Sequence, residues 1–520
     1  MSESRGSGDV RGFNVRGESN MIYPDLKTVR TLSEKYNRIP VYRELNLSEV
    51  GLLSLLKALC QGGDLIFLES AKQNRKWSRF SFLGINPGRT VEFRSGRVME
   101  KRGGIESVVD NDIYSFLKKE VRKFSSPSYP RFGDFNGGLA GFFSYELVNH
   151  AGILRKTVDE SADVPLALLM QIDDFIVYDN VKDRYHIATS LYTLEDGALE
   201  AQYGRILERL EALEAAVLGL VRNTSLPFLP SRPGEVAMRF GETRESFMEK
   251  VRNTKDLITA GEAIQVVLSI RAGIEDPVDP YSFYLKLRSV NPSPYMFFLK
   301  AGDLTIAGSS PEIHVKVERG RVFLKPIAGT VPQGKTRKEN LANKERLLSD
   351  EKERAEHLML VDLARNDIAR VSPGRGVTVE QFMVPEDYSH VIHLVSLVSA
   401  ELGEGRDIID VLRETFPAGT VSGAPKVRAI EIIGGTENHP RGIYAGAVGY
   451  VGYNGFLDTC ITIRTAVFSP KESYLQAGAG IVYDSVPERE HEEILNKLRA
   501  LTESLRYAKT EKEAAHVSHG

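Results

Sequence analysis

GAVGYVGY, residues 446–453, carries the same Gly-x-x-Gly-aromatic-x-x-Tyr spacing as GLAGFFSY, residues 138–145. Read as strands, the two stretches mark two related sheets, one in each half of the chain. Glycine-spaced strands also recur by chance, so the echo alone leaves repeat and coincidence both open.

Outward from these stretches, strand and helix patterns mix. DFIVYDNVKDRYHIAT (174–189) reads as a hairpin turning at 180–183. A helix pattern runs from about 193 to 221, with Leu199, Tyr203, Ile206, Leu210, Leu213 and Val217 on one stripe. RNTSLPFLPSRPGE (222–235) is rich in proline and polar residues and is the linker candidate. It divides a first part, 21–221, from a second, 236–508. The ends, 1–20 and 509–520, read as disordered. In the second part Thr243 caps a helix that Gly261 stops. Strands are expected at 304–308, 313–317, 322–327, 443–453, 459–467 and 474–477, and helical structure at about 342–369. Ser485-Val-Pro-Glu488 matches a capping box with proline in the first turn. A last helix is expected to start there and to bury Ile494, Leu498, Leu501 and Leu505.

The chain has 520 residues, a formal net charge of -3, 42% hydrophobic and 26% charged residues. That fits a globular protein of two or three domains and gives no basic excess for nucleic acid. No apolar run approaches the roughly 18 residues of a membrane span. Residues 1–20 lack the apolar stretch of a secretory signal, and Met21 is a candidate natural start. Cys60 and Cys460 lie in apolar contexts, which suggests buried thiols in a reduced, cytoplasmic protein and excludes a Cys-x-x-Cys metal site.

Two Glu-x-x-Glu pairs stand out, Glu353/Glu356 and Glu490/Glu493. On a helix each pair puts two carboxylates on one face. If the pairs meet across a cleft, the oxygen-only ligand set points to Mg2+. The plainer reading is a solvated face, with Lys497 pairing with Glu493 at i+4. Gly478-Ala479-Gly480 and Gly329-Thr330 end strands and let backbone N–H groups approach a ligand. Either glycine stretch also fits a plain turn. Arg464, within the strand pattern ITIRTAV, needs a carboxylate or phosphate partner if it faces inward. FPAGTVSGAPKVRA (416–429) gathers Thr420, Ser422 and Lys426 in a glycine-rich loop suited to a polar ligand.

PIAGT (326–330), EHLMLVDLARND (356–367), HLVS (393–396), FPAGTVSGAPK (416–426), RGIYAGAVGY (441–450) and QAGAG (476–480) resemble, together and in order, the chorismate-binding enzymes, nearest the anthranilate synthase component I group. The resemblance covers about 22–508. It implies an α+β fold of two interleaved subdomains built on antiparallel sheets flanked by helices, with the active site in a cleft of the second. It implies conversion of chorismate and ammonia to anthranilate and pyruvate, with Mg2+ as cofactor. Glu356 and Glu493 match the surest metal ligands, with Glu353 and Glu490 beside them. Tyr444, Arg464, Gly478, Ala479 and Gly480 match substrate-holding positions, and Gly329 and Thr330 line the same pocket. Lys497 adds a cation there. Glu312, in GSSPE, matches the general acid that expels the C4 hydroxyl, so its pKa should be raised. His393 is assigned to the pyruvate elimination, and Thr420 to substrate contact. Gln265 stands where water-adding relatives carry a lysine base. Ala328 stands where aminodeoxychorismate synthases carry a lysine nucleophile. Val331 and Gln333 depart from the arginines frequent after PIAGT.

FLES (67–70) and NPSPYMFF (291–298) resemble the family's tryptophan feedback site. Leu68, Glu69, Ser70, Pro294, Tyr295, Met296, Val448 and Tyr450 are the residues expected to bind the inhibitor. Neither cysteine lies in a nucleophile elbow, so glutamine use implies a separate glutamine amidotransferase subunit, in a heterotetramer. The alternatives are a 2-amino-2-deoxyisochorismate synthase, an aminodeoxychorismate synthase, and an inactive tryptophan-sensing paralogue.

Overall fold

A computed structural model describes residues 21–45, 47, 50–70, 79–155, 157–161, 163–194, 197–224, 233–388 and 391–509. The expected leader 1–20, the middle of the linker (225–232) and the tail from 510 lie outside the described residues, as does His390.

Two antiparallel sheets carry the fold, with 13 and 12 strands among the described residues. Each is assembled from both halves of the chain. In the larger sheet the first half supplies strands from Ile22–Tyr23 through Leu65–Glu69, and the second half continues from Tyr295–Ala301 to Gln265–Ile274 and Met238–Phe240. In the smaller sheet Ala447–Gly452 of the second half pairs with Gly138–Phe143 of the first. The two echoing stretches therefore do not mark separate sheets. They are neighbours in one sheet, with Gly141 opposite Gly449 and Phe142 opposite Val448. The physical reason is edge closure: each half leaves a row of unpaired backbone groups, and pairing the two rows removes both edges.

The other seam pairs Leu65–Glu69 with Tyr295–Ala301, Phe67 opposite Phe298. Strand alternation then sorts the side chains. Ala140, Phe142, Val448 and Tyr450 pack between the sheets with Phe135, Phe175, Phe297 and Val467. Leu139, Phe143, Ala447 and Val451 face the outer helices of the smaller sheet. The larger sheet is covered by helices including Leu199–Arg222, Arg244–Thr259, Pro280–Val290 and Pro487–Ala508.

Several expected elements shift, each with a local cause. The helical stretch near 342–369 is two helices, Arg337–Ser349 and Glu351–Val371. Asp350, extended at ψ 111°, ends one and caps the other by accepting from the Glu353 N–H at 3.1 Å. The strand expected at 459–467 is Leu457–Ile461 and Thr465–Phe468, which lie in different sheets. Arg464, at φ +53°, turns the chain from one sheet to the other. The strand expected at 443–453 is shorter, Ala447–Gly452, because Ala445 has φ +62°. The strand at 474–477 continues to Ile481, through the glycines. Thr243 caps its helix, accepting from the Ser246 N–H. The capping box at Ser485 does not form. Val486 is the N-cap, and the Ser485 hydroxyl turns back to accept from the Val482 N–H at 3.0 Å.

Among the described residues no helix is long and apolar enough to cross a membrane.

Candidate active site

Glu312 lies between the strands Leu304–Ser310 and Ile313–Glu318. It is 8% exposed and lines a small cavity with Thr420, Leu360, Leu363, Ala364 and Thr415. Burial pushes its carboxyl up to about 8, opposed by smaller effects of Thr420, the Ile327 N–H and Lys497. It therefore keeps its proton at neutral pH, the state a general acid requires.

The loop 416–426 delivers Thr420 by committing its other polar groups elsewhere. Lys426 is buried and donates to Asp367 Oδ2 at 2.7 Å and to the Thr415 carbonyl at 2.9 Å. Ser422 Oγ donates to the Ala418 carbonyl at 2.8 Å. Neither faces a ligand, contrary to the reading of the loop as three ligand-facing polar residues. Thr420 Oγ1 is buried without a hydrogen bond inside 3.5 Å, near enough to Glu312 to hold its carboxyl down.

Gly329 and Thr330 lie inside the strand Ile327–Pro332, not at its end. The register against Val391–Glu401 slips between Ala328 and Thr330, a bulge that re-aims side chains. Gly329 has φ +73°, a conformation glycine adopts without strain. The bulge sets Thr330 Oγ1 2.9 Å from His393 Nδ1 and the Gly329 carbonyl 3.2 Å from it. A carbonyl only accepts, so Nδ1 carries a hydrogen, which turns Nε2 to the other side of the ring.

Arg464, Lys497, Gly478 and Tyr444 cluster together, outside the lining of the small Glu312 cavity. Arg464 donates to the Lys497 carbonyl at 2.7 Å. Among the described residues it makes no ion pair, and burial lowers its pKa. An inward guanidinium so placed favours an anionic ligand. Lys497 Nζ donates to the Gly478 carbonyl at 2.7 Å and pairs with Glu493 Oε1 at 2.7 Å.

Opposite Gly480 and Gly478 in the ladder stand Val267 and Ser269. Their N–H groups turn away, to the Ser422 carbonyl at 2.9 Å and Glu437 Oε1 at 2.8 Å. Antiparallel alternation then puts the N–H groups of Gly478 and Gly480 on the far side of their strand, the side Lys497 reaches. Both glycines also make room for side chains. A Cβ at 478 would stand 2.5 Å from Tyr444 Oη, and one at 480 would stand 2.5 Å from Gln265 Nε2. Ala479, fully buried, faces the helical side.

The four glutamates face one another across the helices Glu351–Val371 and Pro487–Ala508. Burial raises the pKa of Glu353, Glu356 and Glu490, and the neighbouring carboxylates push the same way. An oxygen-only, mutually repelling set, half-buried at Glu353, Glu356 and Glu490 and exposed at Glu493, fits a hard divalent cation. Among the described residues, however, no three ligating side chains converge on one point. Glu353 accepts from the Thr330 N–H at 3.1 Å, Glu493 pairs with Lys497, and Lys352 stands 3.8 Å from Glu356.

All eight residues expected at the inhibitor site line one cavity of about 490 Å³, set where the two seams face each other. Leu68 and Glu69 pair across one seam with Phe297 and Met296, and Val448 and Tyr450 lie on the other. The Glu69 carboxylate is already engaged, accepting from Arg288 Nε at 2.7 Å and Tyr284 Oη at 2.5 Å. Tyr295 Oη donates to Asp458 Oδ1 at 2.9 Å. Cys460, buried, lines the same cavity, and Cys60 is half-buried elsewhere.

Sequence reasoning missed Tyr388 and Lys325. The Tyr388 ring packs edge-on against His393 at 4.9 Å. Lys325 lines both cavities and pairs with Glu386 at 3.0 Å. Lys325 directly precedes PIAGT, the signal that a motif-centred reading passed over.

The profile of the chorismate binding enzyme family matches residues 64–503. Anthranilate synthase component 1 of Acetivibrio thermocellus is 40% identical over 492 residues, 94% of this chain and 99% of the relative. Its counterpart from Aquifex aeolicus is 42% identical over 495 residues, with the same coverage. Among solved structures, anthranilate synthase component I from Streptococcus pneumoniae superposes with a TM-score of 0.72 at 35% identity, over 82% of this chain and 92% of that one. The menaquinone-specific isochorismate synthase of Escherichia coli shares the fold at a TM-score of 0.66 and 19% identity, over 92% of this chain and 98% of that one.

Proposed function

The chain belongs to the chorismate-binding enzymes, in their anthranilate synthase component 1 group, and from that premise we propose that it converts chorismate and ammonia to anthranilate and pyruvate in an Mg2+-dependent reaction. The observation that carries the reading is Glu312, a buried carboxyl held in its protonated form beside Thr420.

Arg464, Lys497 and the N–H groups of Gly478 and Gly480 bind the anionic substrate, and Tyr444 adds a hydroxyl beside Gly478. Glu356 and Glu493 would hold the metal, with Glu353 and Glu490 acting through water, and the ion supplies positive charge for a substrate carboxylate. Glu312 gives its proton to the C4 hydroxyl as ammonia adds at C2. Gln265, a neutral amide, cannot activate water as a base, which favours ammonia. His393, with Nδ1 held by Thr330 and Gly329, presents Nε2 to the ring proton removed as pyruvate leaves. Ala328 leaves no lysine nucleophile at the position aminodeoxychorismate synthases use.

A separate glutamine amidotransferase subunit delivers the ammonia in a heterotetramer, and the enzyme works in the cytoplasm. L-tryptophan binds in the 490 Å³ cavity and inhibits by favouring a state of lower substrate affinity. The test is ammonia source. Purified chain alone should turn over chorismate with ammonium and not with glutamine. Glutamine-dependent turnover without added protein would refute the division of labour.

A further inference from the structure

Arg441 is fully buried, and its guanidinium reaches three segments that carry site residues. Nη1 donates to the Val421 carbonyl at 2.7 Å, next to Thr420. Nη2 donates to the Val267 carbonyl at 2.7 Å, in the strand that carries Gln265 and lies against Gly480. Nε and Nη2 also donate to the two oxygens of Glu437, at 2.9 and 2.7 Å. Glu437 in turn takes the Ser269 N–H and hydroxyl, each at 2.8 Å. Tyr444 is three residues on from Arg441, and the guanidinium carbon stands 5.5 Å from its ring centroid.

The backbone of this segment is fixed from the other half of the chain. Glu146, 1% exposed, accepts from the Arg441 N–H at 2.6 Å and the Gly442 N–H at 3.0 Å. The strand Gln265–Ile274 pairs with Gly423–Ala424 only at Gln265 and Val266. Beyond that point its outward amides at 267 and 269 have no neighbouring strand among the described residues. Arg441, Glu437 and the Ser422 carbonyl take that place.

We propose that Arg441 is a positioning residue for the reaction: it locks the Thr420 loop, the Gln265 strand and the Tyr444 segment into one register. Lysine carries the same charge but cannot span the Val421 and Val267 carbonyls and both Glu437 oxygens with one ammonium group. The inference rests on the reading of Glu312, Thr420 and Tyr444 as groups that meet chorismate.

The test is the full chain with chorismate, Mg2+ and ammonium, comparing wild type with Arg441→Lys. A shift of about 1 Å in reacting groups costs on the order of 100-fold, so kcat should fall about that much, with KM for chorismate changing less than kcat. The groups facing Glu312 are Thr420, the Ile327 N–H, Lys497 and Tyr388, and the same cavity is lined by Lys325, His314 and Asp367. If Arg441 seats Thr420 against it, Arg441→Lys should move the alkaline limb of the pH–rate profile to higher pH. Thr420→Val should move it likewise, and the double variant no further. Should Arg441→Lys fail to fold, Glu437→Gln supplies the same readouts through Arg441's partner. A variant with a lowered melting temperature but unchanged kcat and pH limb would overturn the proposal. Wild-type chain that makes no anthranilate would instead defeat the underlying reading.

Discussion

Gly478 lies directly under the Tyr444 hydroxyl, so close that a Cβ on residue 478 would stand 2.5 Å from Tyr444 Oη. Real Cβ atoms do not approach an oxygen so closely, and the Leu268 carbonyl, 2.8 Å from the same point, blocks retreat on the other side. Gly478→Ala must therefore displace Tyr444. A loss of about 100-fold in kcat/KM for chorismate is expected, together with a lowered melting temperature, because overpacking a buried site costs about 1–3 kcal/mol. Steady-state kinetics beside a thermal melt checks this, and wild-type kinetics in the variant would contradict it.

Glu312 sets the pH dependence. Burial pushes its carboxyl up to about 8, so the general acid is expected below that pH and lost as pH rises through it. The alkaline limb of kcat/KM should fall there. The sign for stability is the reverse of the usual carboxylate. The folded state holds this proton more tightly than the unfolded chain, so stability drains away as pH rises from the ordinary carboxyl range through about 8. Glu312→Gln should lose about 100-fold or more in kcat, yet melt above wild type at pH 9. A melt below wild type at that pH would count against a buried, protonated Glu312.

The proposed Mg2+ site carries its own test. EDTA should abolish turnover and Mg2+ restore it. Glu356→Gln should raise the Mg2+ concentration for half-maximal activity by roughly tenfold or more, in the range of a lost ligand or its support. Full activity in EDTA would remove Mg2+ from the account.

The proposed tryptophan site in the 490 Å³ cavity is open to test by substitution. Ser70 lines it beside Leu68 and Glu69, so Ser70→Arg fills it with a long cation and should weaken inhibition by tryptophan more than tenfold, about 1.4 kcal/mol or more. Inhibition curves with and without the substitution measure this; an unchanged curve would place the inhibitor elsewhere.

Much of this site was legible in the sequence because its residues sit in long local motifs. Glu312 and His393 entered through the family resemblance of GSSPE and HLVS, whereas Thr330, Thr420 and Lys497 also stood out by local pattern; the structure brings Thr330 beside His393 and Thr420 beside Glu312. What escaped depends on approach between distant segments. Arg464 reads as a strand residue, yet its positive φ carries the chain between sheets. The glycines of QAGAG read as a strand end, yet they continue the ladder and make room for Tyr444 and Gln265. The echo of GLAGFFSY and GAVGYVGY signalled a relationship, and only pairing across the chain showed it to be a shared seam. Ser485 shows the limit of local chemistry: its capping pattern is present, but a loop N–H claims the hydroxyl first.

The most direct measurement of the central claim incubates the purified chain with chorismate, Mg2+ and ammonium and follows anthranilate fluorescence and pyruvate together. Equal amounts of anthranilate and pyruvate, rising in step, are predicted. An amino product accumulating without pyruvate, or 4-amino-4-deoxychorismate as the main product, would contradict the assignment of Glu312 and His393 to successive steps of one reaction.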